Sequence, residues 1–185
     1  MTVPAKIDRR FRDSAAAAGL LDAAFDITDS PVGALLVATT DRGVCRVSFE
    51  LDETIDDLAR VLGSRILRVP RRLALVRREL DEYFAGRRTS FELPVDITFL
   101  TAFQQRVLTE LTQVEYGHVT TYGELASRID RPRAARAVGG ALNRNPVAII
   151  LPCHRVVGAS GNLVGYAGGL ERKQTLLRLE GAALA

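Results

Sequence analysis

No apolar run in this 185-residue chain approaches the roughly 18 residues that a membrane-spanning helix needs, so such a helix is excluded. Two cysteines cannot build a disulfide framework, which makes a reducing, cytoplasmic setting the simpler expectation. Two histidines, His118 and His154, leave little from which to assemble a zinc site. What is present is ordinary for a folded domain: 47% apolar and 25% charged residues. That balance argues against a disordered, collagen-like or coiled-coil chain, and the length suits one domain or two small ones.

Charge is unevenly placed. Residues 1–98 carry 15 basic against 16 acidic side chains, whereas residues 99–185 carry 10 against 6. A basic C-terminal half beside a neutral N-terminal half points to an anionic partner for the former, with chance an equal contender. The N-terminus holds Arg9-Arg10-Phe11-Arg12 and then a short apolar run from Ala15 to Leu21. An export signal would be longer and poorer in acid than a run hemmed by Asp13, Asp22 and Asp26. Residues 8–25 therefore read as a short amphipathic helix or a loose tail.

The periodicities sketch two regions. Apolar runs on either side of Asp41-Arg42-Gly43 predict a β-hairpin within residues 31–50. Helical spacing follows at 55–63 and 71–85, closed by Gly86, and 90–95 could form one more strand. Beyond a link at 94–99, residues 101–114, 121–129 and 134–144 each predict a helix, with a turn at 115–118 and a break at Arg131-Pro132. Helix, short turn, helix is a helix-turn-helix pattern, which on its own many small helical domains share.

The chemistry concentrates at Asn145-Pro146-Val147-Ala148-Ile149-Ile150-Leu151-Pro152-Cys153-His154-Arg155. The apolar run should carry the chain through the core and leave Cys153 shielded from water. A buried thiol is usually an inert small hydrophobe, because desolvation disfavours the thiolate. A histidine next door and an asparagine before the run argue otherwise, since a nucleophilic cysteine needs a base and a group that orients it.

This stretch resembles the active-site signature of the O6-alkylguanine-DNA alkyltransferases, the methylated-DNA–protein-cysteine methyltransferase family. The likeness continues upstream through Thr120 to Ala126 and Ala134 to Ala141, and downstream through Gly165 to Leu170 and Leu176 to Gly181. It is dense over 99–182 and loose over 28–96. It implies an α+β protein: an extension at 1–27, a small α/β, ribonuclease H-like domain at 28–96, and a mostly helical, winged-helix-like helix-turn-helix domain at 99–185 carrying the active cysteine.

The implied reaction is irreversible transfer of the alkyl group from O6-alkylguanine, with O4-alkylthymine left open, to Cys153. A thioether has no easy hydrolytic exit, so each molecule would act once. His154 would be the general base, Glu180 its orienting carboxylate, Asn145 the holder of the active-site turn, and Tyr122 a donor to the departing base. Without the resemblance, Glu180 reads as a helix-end surface carboxylate and Tyr122 as half-buried packing. Backbone carbonyls of Cys153 and Val156 would read the guanine, and Tyr166 and Ala167 would wall its pocket. Arg136 would fill the gap left by a flipped nucleotide, with Ala134, Ala135, Ala137 and Gly139 giving its helix a small-residue surface for the minor groove.

The implied partner is double-stranded DNA bearing the lesion, met by a monomer, with cooperative loading left open and no membrane or cofactor involved. Some relatives hold zinc in the N-terminal domain; Cys45 alone, with no histidine there, implies no metal site. His118 stands where the family leads us to expect an acid, and no chemistry is assigned to it. Two other readings share the scaffold: a base-flipping lesion binder without chemistry, and a helix-turn-helix regulator. The latter would want base-reading side chains rather than Ala and Gly on its recognition helix.

Overall fold

The computed structural model describes residues 5–183, which divide into two compact units: residues up to 81 together with 92–99, and residues 82–91 together with those from 100 onward. The chain is α+β. In the first unit α1 (Ala5–Ala17) precedes β1 (Ala23–Thr28), β2 (Leu35–Thr40), β3 (Gly43–Ser48), α2 (Asp52–Leu62), β4 (Ile66–Arg68) and α3 (Ala74–Phe84), whose last turn is counted with the second unit. The sheet runs β3-β2-β1-β4, with β4 parallel to β1 and the other pairs antiparallel.

The expected hairpin is β2–β3. Its inner strand is buried on both faces, as the unbroken Leu35-Leu36-Val37-Ala38 run requires. Leu36, Ala38, Cys45 and Leu58 form a core under Phe25, Ile55, Ile66 and Phe99. Cys45 is thus a packing residue, and burial pushes its thiol up to about 12.

Two expectations for this unit are corrected. The segment 8–25 is not one helix or tail: α1 ends at Ala17, and β1, a central strand of the sheet, begins at Ala23, before the domain start expected at 28. The alternation that would signal β1 is blurred by Asp26, which is buried and paired with Arg68 and Arg77. The strand expected at 90–95 shrinks to one bridge between Val44 and Val95. There the backbone presses on the hairpin so closely that a methyl group on Gly43 would lie 2.3 Å from the Pro94 carbonyl oxygen.

The second unit contains the three predicted helices, each a little shorter: α4 (Ala102–Leu111), α5 (Tyr122–Arg128) and α6 (Ala135–Asn143). A fourth, α7 (Leu170–Leu179), lies near the end. Thr101 with Gln104 and Thr121 with Glu124 form reciprocal capping boxes that start α4 and α5. Val107, Leu108, Leu111, Leu125, Val138 and Ala141 close the core between the three helices. A short parallel pair, β5 (Thr120–Thr121) with β6 (Val156–Val157), ties the start of α5 to the chain just past Cys153.

The apolar run 147–151 was expected to carry the chain through the core. It is buried, but it is a chain of tight turns. Leu151 N–H bonds to the Val147 carbonyl, Ile150 N–H to Ala148, and Ile149 takes a φ of +73°. A β-branched residue rarely adopts that conformation. Prolines at 146 and 152 remove two of the N–H groups a ladder would need, and the Asn145 side chain substitutes for strand partners.

Candidate active site

Asn145 organises the turn from within. Its Oδ1 accepts the Val147 N–H at 3.0 Å, and its Nδ2 donates to the Leu151 carbonyl at 2.8 Å and to the Cys153 sulfur at 3.1 Å. One side chain thus fixes both ends of the turn and touches the Cys153 sulfur. Cys153 opens a single 3-10 turn, Cys153–Arg155, and is 8% exposed. Burial pushes its thiol pKa up; the Asn145 hydrogen bond and the nearby Lys173 ammonium pull the other way. The sulfur faces a small cleft lined by Tyr122, Gly139, Leu142, Gly165, Tyr166 and Ala167.

His154 is wholly buried, and its Nε2 lies 2.8 Å from Glu180 Oε1. Glu180 is ionised: burial raises its pKa, but hydrogen bonds from His154 and Arg155 outweigh that and hold it down to about 2. Nε2 must then be the protonated nitrogen, which leaves the lone pair on Nδ1, an atom without a protein hydrogen-bond partner among the described residues. Burial lowers the His154 pKa more than Glu180 raises it, so the ring is neutral at pH 7 and free to accept a proton.

Arg155 completes the group. Its Nε and Nη2 donate to Glu180 at 2.8 and 2.9 Å, and Nη1 donates to the Val114 carbonyl at 2.6 Å. A carboxylate buried beside a neutral imidazole needs this second, full charge.

The expected residues fall into three groups. Cys153, His154, Glu180 and Asn145 come together as one hydrogen-bonded array, and Tyr122, Tyr166 and Ala167 line the cleft beside it. Arg136 and Ala137 are exposed on α6, with Ala134 and Ala135 partly so. Gly139, expected on the DNA surface, lies under the Tyr122 ring, where an added methyl would stand 3.5 Å from it, and lines the cleft.

The expected guanine-reading atoms already have partners. The Cys153 carbonyl accepts the Val156 N–H, the Val156 carbonyl accepts Lys173 Nζ at 2.6 Å, and Tyr122 O–H donates to the Val164 carbonyl at 3.3 Å. Each carbonyl retains a second lone pair. His118 is exposed, with Nδ1 near the Tyr116 carbonyl. Among the described residues no cluster of three potential metal ligands occurs, and no helix is long and apolar enough to cross a membrane.

Sequence reasoning missed Lys173. It is fully buried, and its ammonium bonds to the carbonyls of Val156 and Val164. Burial brings its pKa down to about 8. The signal was available: Lys173 stands three and four residues before Leu176 and Leu177, on the buried stripe of α7.

Two family models match the chain. The 6-O-methylguanine DNA methyltransferase ribonuclease-like domain covers residues 24–97, and the DNA binding domain of the same family covers 102–182. The methylated-DNA–protein-cysteine methyltransferase of Mycobacterium leprae is 46% identical over 154 residues, spanning 82% of this chain and 88% of that protein. Its counterpart from Methanosarcina acetivorans is 41% identical, spanning 85% and 98%. The crystal structure of Mycobacterium tuberculosis OGT in complex with DNA superposes with a TM-score of 0.76 at 40% identity, covering 85% of this chain and 92% of that one.

The Glu180 array generates a prediction. Glu180→Gln leaves Arg155 buried without its counter-charge and should cost about 3–5 kcal/mol at pH 7 in urea unfolding. A carboxyl whose folded pKa is depressed stabilises the fold above its unfolded pKa and loses that contribution as pH falls toward the folded one. The gap between wild type and variant should therefore narrow from about pH 5 down to about pH 2. A gap independent of pH over that range would contradict the charge assignment.

Proposed function

The chain belongs to the methylated-DNA–protein-cysteine methyltransferase family, and from that premise we propose how its own residues perform the reaction and meet the substrate. It is a methylated-DNA–protein-cysteine S-methyltransferase that repairs O6-methylguanine in DNA. Cys153 is the acceptor. Its sulfur attacks the saturated carbon on O6, the S–C bond forms as the C–O bond breaks, and guanine leaves. The observation that carries this assignment is the thiol itself, set at the floor of the cleft beside a neutral histidine backed by an ionised carboxylate.

His154 takes the thiol proton at Nδ1 across a bridging water, because no direct hydrogen bond joins its ring to the sulfur among the described residues. Glu180 holds the ring in the Nε2–H tautomer and stabilises the imidazolium that forms. Asn145 donates to the sulfur as its charge develops, and the Lys173 ammonium adds a fixed positive field. Tyr122 releases the Val164 carbonyl and donates to the departing base, while Tyr166 and Ala167 bound the pocket. The free carbonyl lone pairs of Cys153 and Val156 accept from the guanine amino group. The product is a thioether, which water does not readily cleave, so each molecule transfers one alkyl group.

The substrate is double-stranded DNA, met by a monomer. A thiol sunk below the surface cannot reach O6 of a stacked base, so the nucleotide must leave the helix. The exposed Arg136, flanked by Ala135 and Ala137 on α6, is placed to enter the vacated space, and the small residues permit close approach to a minor groove. Chemistry and DNA contact both belong to residues 99–185. The two cysteines are buried free thiols, which suits a reducing cytoplasmic setting. A lesion binder without chemistry is disfavoured because it has no use for a thiol with Asn145 on the sulfur and a base beside it.

Cys153→Ala should abolish alkyl transfer while leaving affinity for lesion-bearing duplex near that of wild type, measured by fluorescence anisotropy. Loss of both would make Cys153 a structural residue. Arg136→Ala should slow repair in duplex DNA by about tenfold or more, as part of the unstacking energy goes uncompensated. The same variant should react with the free modified base at the wild-type rate, and equal slowing on both substrates would reject the stack-filling role.

A further inference from the structure

A carboxylate offers about four lone-pair positions. On Glu180 they are contested. Oε2 accepts Arg155 Nε at 2.8 Å and, more weakly, the Gly117 N–H at 3.4 Å. Oε1 accepts His154 Nε2 at 2.8 Å, Arg155 Nη2 at 2.9 Å and, shortest of the three, the Tyr83 hydroxyl at 2.7 Å. The oxygen that backs the catalytic histidine is therefore shared with a tyrosine 97 residues away in sequence from Glu180.

Tyr83 sits in the last turn of α3 and has no solvent exposure. Its ring meets Phe91 at 5.3 Å and stands edge-on to Tyr116 at 6.1 Å, and the Tyr116 ring in turn lies 5.9 Å from the Arg155 guanidinium. Phenylalanine would supply that packing. Burying a hydroxyl costs free energy unless it is bonded, and among the described residues this one bonds to the carboxylate alone. The O–H therefore needs an explanation beyond the core, and the group it bonds to is the reaction's orienting carboxylate.

We infer that Tyr83 is a positioning residue for alkyl transfer: by donating to Oε1 it fixes the carboxylate against His154 and draws off part of its charge, so that the imidazole rests neutral and ready to accept the Cys153 proton. The inference rests on His154 being the base. The more charge Oε1 keeps for itself, the more it favours the imidazolium, and the smaller the neutral, proton-accepting fraction of His154 at a given pH. The charged and titratable groups around the ring are Glu180 and Lys173 from the α7 segment, and Cys153 and Arg155 beside it in the 3-10 turn. Tyr83 and Tyr116 face the carboxylate from behind. Among these, Tyr83 is the neutral donor on the oxygen that His154 uses, so its removal changes the histidine's partner without changing net charge.

The sign is fixed. Tyr83→Phe returns charge to Oε1, stabilises imidazolium and raises the pH at which His154 loses its proton. The acid limb of the single-turnover rate–pH profile, measured at saturating lesion DNA, should move up by about half to one pH unit. A stronger donor of nearly the same shape, 3-fluorotyrosine at position 83, should move it down, and this arm stands even if Tyr83→Phe does not fold. A purely structural Tyr83 would lower the melting temperature of Tyr83→Phe yet leave the profiles superimposed. Superimposed limbs, or a downward shift for Tyr83→Phe, overturn the inference. Wild-type protein run alongside separates the two levels: no transfer by wild type would refute the reaction itself, whereas normal transfer with unmoved limbs would refute only the role of Tyr83.

Discussion

The buried Glu180 carboxylate is the constraint on which the second unit turns. Placed among apolar side chains alone it would be protonated and useless. Two bonds from Arg155 and one from His154 keep it ionised, and Tyr83 and Gly117 approach the same two oxygens. The same bonds pin the 3-10 turn at Cys153–Arg155 against the end of α7 and the turn at 115–118. Structure and chemistry therefore share one charge. The donors that make the carboxylate tolerable in the interior also give His154 its tautomer, and the tautomer leaves the basic nitrogen free.

A second constraint is the depth of the sulfur. Burial makes a thiol less acidic, which opposes nucleophilicity. The site answers locally, with Asn145 on the sulfur, Lys173 nearby and a neutral base next in sequence. Burial also has a use in the proposed mechanism: a sulfur at the floor of a cleft meets only what enters the cleft, and a base would enter only after leaving the duplex. Selectivity for damaged DNA would then follow in part from how readily a nucleotide unstacks.

Much of this was legible in the sequence because it is local. Helical spacing, the apolar runs around Asp41-Arg42-Gly43 and the Pro-Cys-His-Arg core each lie within a few residues, and the helix-turn-helix and the hairpin follow from the first two. β1 was hidden because the buried, ion-paired Asp26 disrupts its pattern and α1 runs close before it. The run 147–151 has a strand's composition, yet it folds into turns, because two prolines and the Asn145 side chain displace ladder bonding. Lys173 left a trace, a charge on an apolar helical stripe. Tyr83 left none, since its meaning depends on a carboxylate 97 residues away.

Peptide mass mapping after incubation with O6-methylguanine duplex tests the central claim most directly. The account predicts a gain of about 14 Da, S–H becoming S–CH3, on the peptide carrying Cys153, once per molecule and with Cys45 unchanged. An unmodified Cys153, a methyl group on Cys45, or several guanines repaired per protein molecule would contradict it.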